Sequence, residues 1–171
     1  MNGQRHSTLT ASCACGNVVF EATGTPIASV VCYCDDCQEG GRRIEALPNA
    51  PAVRAPDGGT AYIVFRKDRV ACAKGAALLV KQKIKEKTAT NRLVATCCNS
   101  AMVLNFDDAK HWVSMYRARF KGPVPPVEML VCTRFKPGNA EMPSGVPAYA
   151  KFPPAFLGKL LAARIAMLFY R

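Results

Sequence analysis

Cys32-Tyr33-Cys34-Asp35-Asp36-Cys37 is the stretch on which the reading of this chain turns. Three cysteines within six residues can grip one metal ion without help from distant sequence. Thiolates are soft, strong zinc ligands, and a turn carrying C-x-C-x-x-C directs three sulfurs at one centre. Three protein ligands leave the fourth tetrahedral position open. An open position separates a zinc that does chemistry from one that only fastens a fold.

Two further cysteine groups lie outside this triad. Cys13 and Cys15 stand one residue apart upstream, and Cys97 and Cys98 are adjacent far downstream. A C-x-C knuckle joined to a second, distant cysteine turn pins two hairpins of a β-rich domain together. Such a closed site stabilises the fold and does no chemistry.

Composition agrees with a metal-binding reading. A chain of 171 residues suits one domain with a tail, large enough to bury a core, and 50% hydrophobic residues exclude a disordered protein. The odd count of 9 cysteines and their tight spacings argue against a disulfide framework. Residues 1–10 are polar and lack an apolar run, so no signal peptide is read there, and a reducing, cytoplasmic setting is expected. The formal charge is +11. Seven thiolates around two zinc dications would lower it by about three, to roughly +8. A basic surface favours acidic small molecules, nucleic acid or anionic membranes.

Residues 7–22 read as two short strands interrupted by Cys13-Ala14-Cys15-Gly16, and Gly24-Thr25-Pro26 makes a turn. Residues 27–31 form a third, β-branched run that delivers the chain into the central cluster. From Gly40-Gly41-Arg42-Arg43 to Gly58-Gly59 the sequence is irregular and proline-spotted, either a lid beside the metal or a surface connection. Residues 60–65 form a strong strand, residues 66–69 a charged turn, and a weaker strand runs through Cys72. Lys81, Lys83, Lys85 and Lys87 alternate with Gln82, Ile84, Glu86 and Thr88. With no aromatic residue among them for base stacking, this row fits an edge strand kept soluble by lysine better than a nucleic-acid strip. Nucleic acid is therefore not expected as a partner.

Residues 92–96 and 102–104 bracket Cys97-Cys98-Asn99-Ser100 as strand, turn, strand, and residues 111–116 give another strand. His6 and His111 read as a terminal and a strand residue, not as ligands. The organisation expected is a β domain at 7–120, a proline-rich extension at 121–154 and a helix at 155–171. On a helical wheel Leu157, Leu161, Ile165 and Leu168 form one wide stripe with Lys159 opposite. That stripe suits docking on its own domain or on a second subunit, as a homo-oligomer; binding at a membrane interface is the lesser alternative. The helix is too short, and too interrupted by charge, to span a bilayer.

Together, Ser12-Cys13-Ala14-Cys15-Gly16-Asn17-Val18, Cys32-x-Cys34-x-x-Cys37-Gln38 and Cys98-Asn99-Ser100 resemble the glutathione-dependent formaldehyde-activating enzyme family, which includes the centromere-protein-V-like proteins. The resemblance covers roughly residues 7–116. It implies a mainly β fold, a β-tent of small antiparallel sheets around cysteine zinc sites, with one structural zinc and one three-cysteine zinc. It also implies a carbon–sulfur lyase that joins formaldehyde to glutathione as S-hydroxymethylglutathione. On this resemblance Cys13 and Cys15 match half of the structural site, and Cys32, Cys34 and Cys37 match the active zinc. The other half departs: the family's C-x-x-C-G would put cysteine at Ala95 as well as Cys98. Cys97 then supplies the missing thiolate beside Cys98, or Cys72 or Cys132 substitutes, although both of these read first as buried free thiols. Tyr33 stands where the family often has histidine, and Asp35 and Asp36 add negative charge beside the cluster.

The mechanism this implies is ionisation of a thiol at the open zinc position, followed by its attack on a small aldehyde. Arg42 and Arg43 are the candidates to hold a carboxylate of the thiol. The rival expectation is a non-catalytic zinc module that binds a protein, nucleic acid or membrane surface through its basic face.

Overall fold

The structure is a computed structural model that describes residues 8–169, so His6 lies outside it. Strands β1 (Thr8–Ser12) and β2 (Val19–Thr23) flank the first cysteine turn, where Gly16 takes φ +78°, a conformation that a side chain disfavours. Strand β3 (Ala28–Cys32) is buried along its whole length and runs straight into helix α1 (Asp35–Glu45). Next come β4 (Thr60–Arg66), β5 (Val70–Lys74), β6 (Leu79–Gln82), β7 (Thr90–Ala95), β8 (Ser100–Phe106) and β9 (Trp112–Tyr116). The chain ends with β10 (Phe120–Lys121), β11 (Met129–Val131) and helix α2 (Pro154–Phe169).

The strands form a four-stranded sheet in the order β10-β1-β2-β5 and a seven-stranded sheet in the order β11-β3-β4-β9-β8-β7-β6. All named pairs are antiparallel except β11, which lies parallel to β3. The larger sheet is covered on both faces, and the period of two along β4 shows how. Ile63 and Phe65 pack with Ala11, Val18 and Phe20 of the small-sheet side. Tyr62 and Val64 point the other way, into a core shared with Ile44 of α1 and with Phe156 and Leu160 of α2. The mainly β reading of the sequence holds. β6 is an edge strand, but of the expected row of lysines only Lys81 lies in it; Lys83, Lys85 and Lys87 follow in the connection to β7, and Lys81 and Lys83 pair with Asp107 at 3.1 and 2.9 Å. β11 comes from within the proline-rich 121–154 stretch and forms the opposite edge.

Two expectations need correction. Where the sequence predicts irregular chain from Gly40 onward, α1 continues through Gly40-Gly41 to Glu45. Each glycine costs a helix about 1 kcal/mol relative to alanine, which is why the pair reads as a breaker. A Cβ on Gly40 would lie 2.0 Å from Arg92 Nε, and one on Gly41 2.6 Å from Arg54 Cγ. The glycines make room for neighbours rather than for a turn. Asp35 and Asp36 in the first turn, with Arg42 and Arg43 in the last, suit the helix dipole.

The second correction concerns α2. Its exposed stripe is the one expected to dock: Leu157, Leu161, Ile165 and Leu168 are 54, 62, 48 and 71% exposed. Phe156 and Leu160 are buried instead. The helix is apolar on both stripes, so periodicity had no means of choosing between them. Polar contacts set the rotation: His111 Nε2 donates to the Leu160 carbonyl at 2.7 Å, and Lys159 pairs with Glu128. Among the described residues no helix is long and apolar enough to cross a membrane.

The connection at residues 46–59 is pinned to the surface by one carboxylate. Glu45 accepts from the backbone N–H groups of Val53 and Arg54 at 2.9 and 2.7 Å, and from Arg54 Nε and Nη2 at 2.9 and 2.7 Å. Burial raises the Glu45 carboxyl pKa, but the bonds from Arg54 and these N–H groups bring it below its ordinary value. A lowered folded-state pKa means the contribution is complete above the unfolded value of about 4.3 and is lost as pH falls through the folded value. Glu45→Gln is expected to cost about 1–3 kcal/mol at neutral pH, with a smaller difference from wild type on acidification below about pH 4. Urea denaturation of both proteins at the two pH values measures this.

Candidate metal centres and the adjoining cavity

The first centre joins the two sheets. Cys13 and Cys15 lie in the β1–β2 turn, and Cys97 and Cys98 in the β7–β8 turn. The sulfur of Cys13 is 3.6 Å from that of Cys15 and 3.8 Å from that of Cys97; Cys15 and Cys97 are 3.3 Å apart. All four sulfurs lie within 4.8 Å of one another, so Cys97 and Cys98 both join and neither Cys72 nor Cys132 is needed here. Asn99, at φ 52°, lets the turn fold tightly enough for adjacent cysteines to converge. Val18 N–H donates to Cys13 Sγ at 3.2 Å, and Ser100 Oγ lies 3.1 Å from Cys98 Sγ. Four converging thiols with such partners fit a tetrahedral zinc.

The second centre is built where β3 becomes α1. Cys32 ends the strand, Cys34 caps the helix and Cys37 sits in its first turn, with all three sulfurs within 4.8 Å of one another. Strand alternation sends Tyr33 to the opposite side, where it packs with Val31 and Leu130 and its hydroxyl donates to Asp57 at 2.6 Å. Tyr33 therefore stands away from the thiols. Cys37 N–H and Gln38 N–H donate to the Cys34 carbonyl at 3.0 and 3.1 Å, which closes the helix start around the cluster. The Tyr62 hydroxyl donates to Cys37 Sγ at 3.6 Å. Hydrogen bonds from Cys32 and Cys37 lower the pKa of the Cys34 thiol.

A fourth cysteine approaches Cys32 from far along the chain, without joining the three sulfurs that lie within 4.8 Å of one another. Cys132 is buried, sits at φ 58° and follows Val131, which pairs with Cys32 across the parallel β11–β3 edge. Its hydrogen bond with Cys32 is the largest of the influences that push the Cys32 thiol up. Gln38 Nε2 fastens the same corner by donating to the carbonyls of Tyr33 and Phe135 at 2.6 and 2.7 Å. Cys132 is buried, as read from the sequence, but it is not isolated. Cys72 is half-buried and donates to the Lys74 carbonyl at 3.2 Å.

The three thiols open into a cavity of about 360 Å³ between the large sheet and α2. Arg92, from β7, also lines it and is only 2% exposed. Its Nη2 donates to the Asp36 carbonyl at 2.5 Å, while Nε and Nη1 lack a partner of hydrogen-bonding geometry among the described residues. Burial raises the Tyr116 hydroxyl pKa to about 12, against the opposing pull of this guanidinium. A buried cation at the first turn of a helix faces the positive end of the dipole, so it needs negative charge nearby. Three thiolates around one dication carry a net charge of −1 and supply it. This orphaned guanidinium is the observation by which the central residues fit a bound zinc.

Arg42 and Arg43 are placed elsewhere. Both are exposed and bound to Glu39, at 2.5 and 2.6 Å, and Arg43 also donates to the Ile84 carbonyl. Neither they nor any residue of 46–59 lines the cavity, so that connection is a surface segment and not a lid. Asp35 is exposed, and Asp36 meets Arg92 through its backbone. His111 supports α2 and lies in neither cysteine cluster. Arg92 and Cys132 carry no local signal in the sequence: one begins an ordinary apolar strand, and the other follows one.

Residues 8–47 match the family model of the glutathione-dependent formaldehyde-activating enzyme. The match to this formaldehyde-activating family spans β1 to the end of α1 and contains Cys13, Cys15, Cys32, Cys34 and Cys37; Cys97, Cys98, Arg92 and Cys132 lie beyond it. It supports the resemblance read from the cysteine motifs. A crystal structure of a Rhodobacter sphaeroides protein is similar at 16% identity and TM-score 0.48, over 68% of this chain and 91% of that one. No curated protein matches the chain.

Proposed function

We propose that this protein is a zinc-dependent, carbon–sulfur-lyase-like enzyme that joins a thiol of the glutathione type to a small aldehyde such as formaldehyde, at Cys32, Cys34 and Cys37. One observation carries the reading: this three-thiol cluster opens into a cavity, whereas the four-thiol cluster closes on itself between two turns. A zinc ion held by Cys32, Cys34 and Cys37 supplies Lewis-acid chemistry that lowers the pKa of an incoming thiol. Tyr62 and the helix-start N–H groups hold the three sulfurs in place, Arg92 balances their charge, and the apolar walls exclude water. A reducing, cytoplasmic setting belongs to this reading, because the thiols serve as ligands only when reduced.

The second reading is a closed, non-catalytic centre, and Cys132 is the observation that favours it. If its thiolate fills the fourth position, the central site becomes another structural zinc. Protein purified without chelator is expected to hold close to two zincs per chain under either reading. A value near one, kept in a Cys32→Ser/Cys34→Ser variant, would remove the central cluster as a metal site. Cobalt-loaded protein separates the two readings. Under the enzyme reading, added glutathione changes the thiolate-to-cobalt absorption of one site in the wild type. A change seen only in Cys132→Ser means that the centre is closed and the enzyme reading fails.

A further inference from the structure

A one-carbon aldehyde would need little room and no apolar wall. The cavity offers the opposite. Its volume of about 360 Å³ falls in the small-molecule range, and its body is walled by Leu104, Phe106 and Trp112 from the sheet and Phe156, Leu157 and Leu160 from α2. Leu157 lines the cavity while remaining 54% exposed, so the mouth opens along an apolar helix. Of the two cations that line the cavity, Lys110 is committed to Asp108. Arg92 is the other, nine-tenths buried, with Nη2 on the Asp36 carbonyl and Nε and Nη1 shielded from the open space.

We propose that this cavity takes an apolar-bodied, oxygen-headed molecule, which in the reaction proposed above is an alkyl or aryl aldehyde whose carbonyl end meets the three thiols. The inference rests on that reaction only for the identity of the head group. In the addition, a bond forms between the thiol sulfur and the carbonyl carbon, and the C=O π pair moves onto oxygen. The proton lost by the thiol ends on that oxygen, giving a hydroxyalkyl thioether with no oxidant or reductant. Arg92 stays charged throughout, and its buried positive charge favours the negative charge that develops on the oxygen.

Trp112 is the chain's 1 tryptophan and lines the cavity, so its fluorescence reports occupancy directly. The probes are butanoate, hexanoate and octanoate, unreactive carboxylates that mimic an oxygen-headed apolar body, added to zinc-loaded protein. A saturable change is expected whose affinity rises about fourfold per methylene. Leu157→Glu, at an exposed position that leaves folding intact, is expected to flatten that dependence; Arg92→Gln is expected to weaken all three probes alike. With glutathione as the thiol, kcat/KM for hexanal is expected to exceed that for formaldehyde at least tenfold. Turnover of formaldehyde without any chain-length dependence of binding overturns this inference and keeps the lyase reading. Chain-length-dependent binding at Trp112 without turnover of any aldehyde keeps the ligand class and removes the lyase. No saturable response to octanoate overturns the inference outright, as does an unchanged chain-length dependence in Leu157→Glu.

Discussion

Cys15→Ser is expected to be insoluble, or to melt tens of degrees below wild type with one zinc missing. Cys15 and Cys13 sit in the turn of the small sheet, and their partners Cys97 and Cys98 sit in the turn of the large one. Serine leaves three sulfurs and a hydroxyl, a far poorer zinc ligand than a thiolate. Structural zinc contributes on the order of 10 kcal/mol of folding free energy, comparable to the total stability of a domain. The core between the sheets, from Ala11 and Val18 across to Met102 and Val103, packs beside these two turns. Soluble yield, zinc content and a thermal melt of the variant test this together. A Cys15→Ser protein that keeps the wild-type melt and both zincs would show that the four-thiol cluster does not stabilise the fold.

Cys37→Ser is expected to behave differently: folded, with one zinc lost and thiol-dependent aldehyde turnover down by about a thousandfold or more, the scale of a Lewis-acid contribution of several kcal/mol. Cys32, Cys34 and Cys37 lie within one strand end and one helix turn, so closing that loop joins no distant parts of the chain. The helix-start hydrogen bonds to the Cys34 carbonyl are backbone bonds and survive the change. The Tyr62 hydroxyl, now bonded to Cys37 Sγ, can bond a serine hydroxyl instead. The cost to stability should stay near 1–3 kcal/mol. Cys132 sharpens the test, because its contact with Cys32 ties β11 to the same corner. If Cys37→Ser unfolds as badly as Cys15→Ser, the central zinc is a closed structural site that includes Cys132, and the enzyme reading loses its main support.

The central cluster was legible in the sequence because covalent spacing alone brings its sulfurs together. Strands β1, β2, β4 and β8 were legible for a similar reason: alternation along a strand is a local property, set by which face each residue presents. The convergence of Cys97 and Cys98 on Cys13 and Cys15 needed the turn at Asn99, and the sequence left Cys72 and Cys132 open as substitutes. Helix α1 was hidden by Gly40-Gly41, whose local preference is against a helix; their purpose shows only when Arg92 and Arg54 are packed against them. Which stripe of α2 docks was hidden as well, because both stripes are apolar and the choice rests on His111 and Glu128, far away in the chain. Arg92 at the cavity and Cys132 beside Cys32 follow from tertiary placement: β7 brings one toward the start of α1, and the parallel β11–β3 edge brings the other to the end of β3. No periodicity within a strand encodes which strand will lie beside it, so the residues that decide whether the central zinc site is open or closed were set by tertiary structure alone.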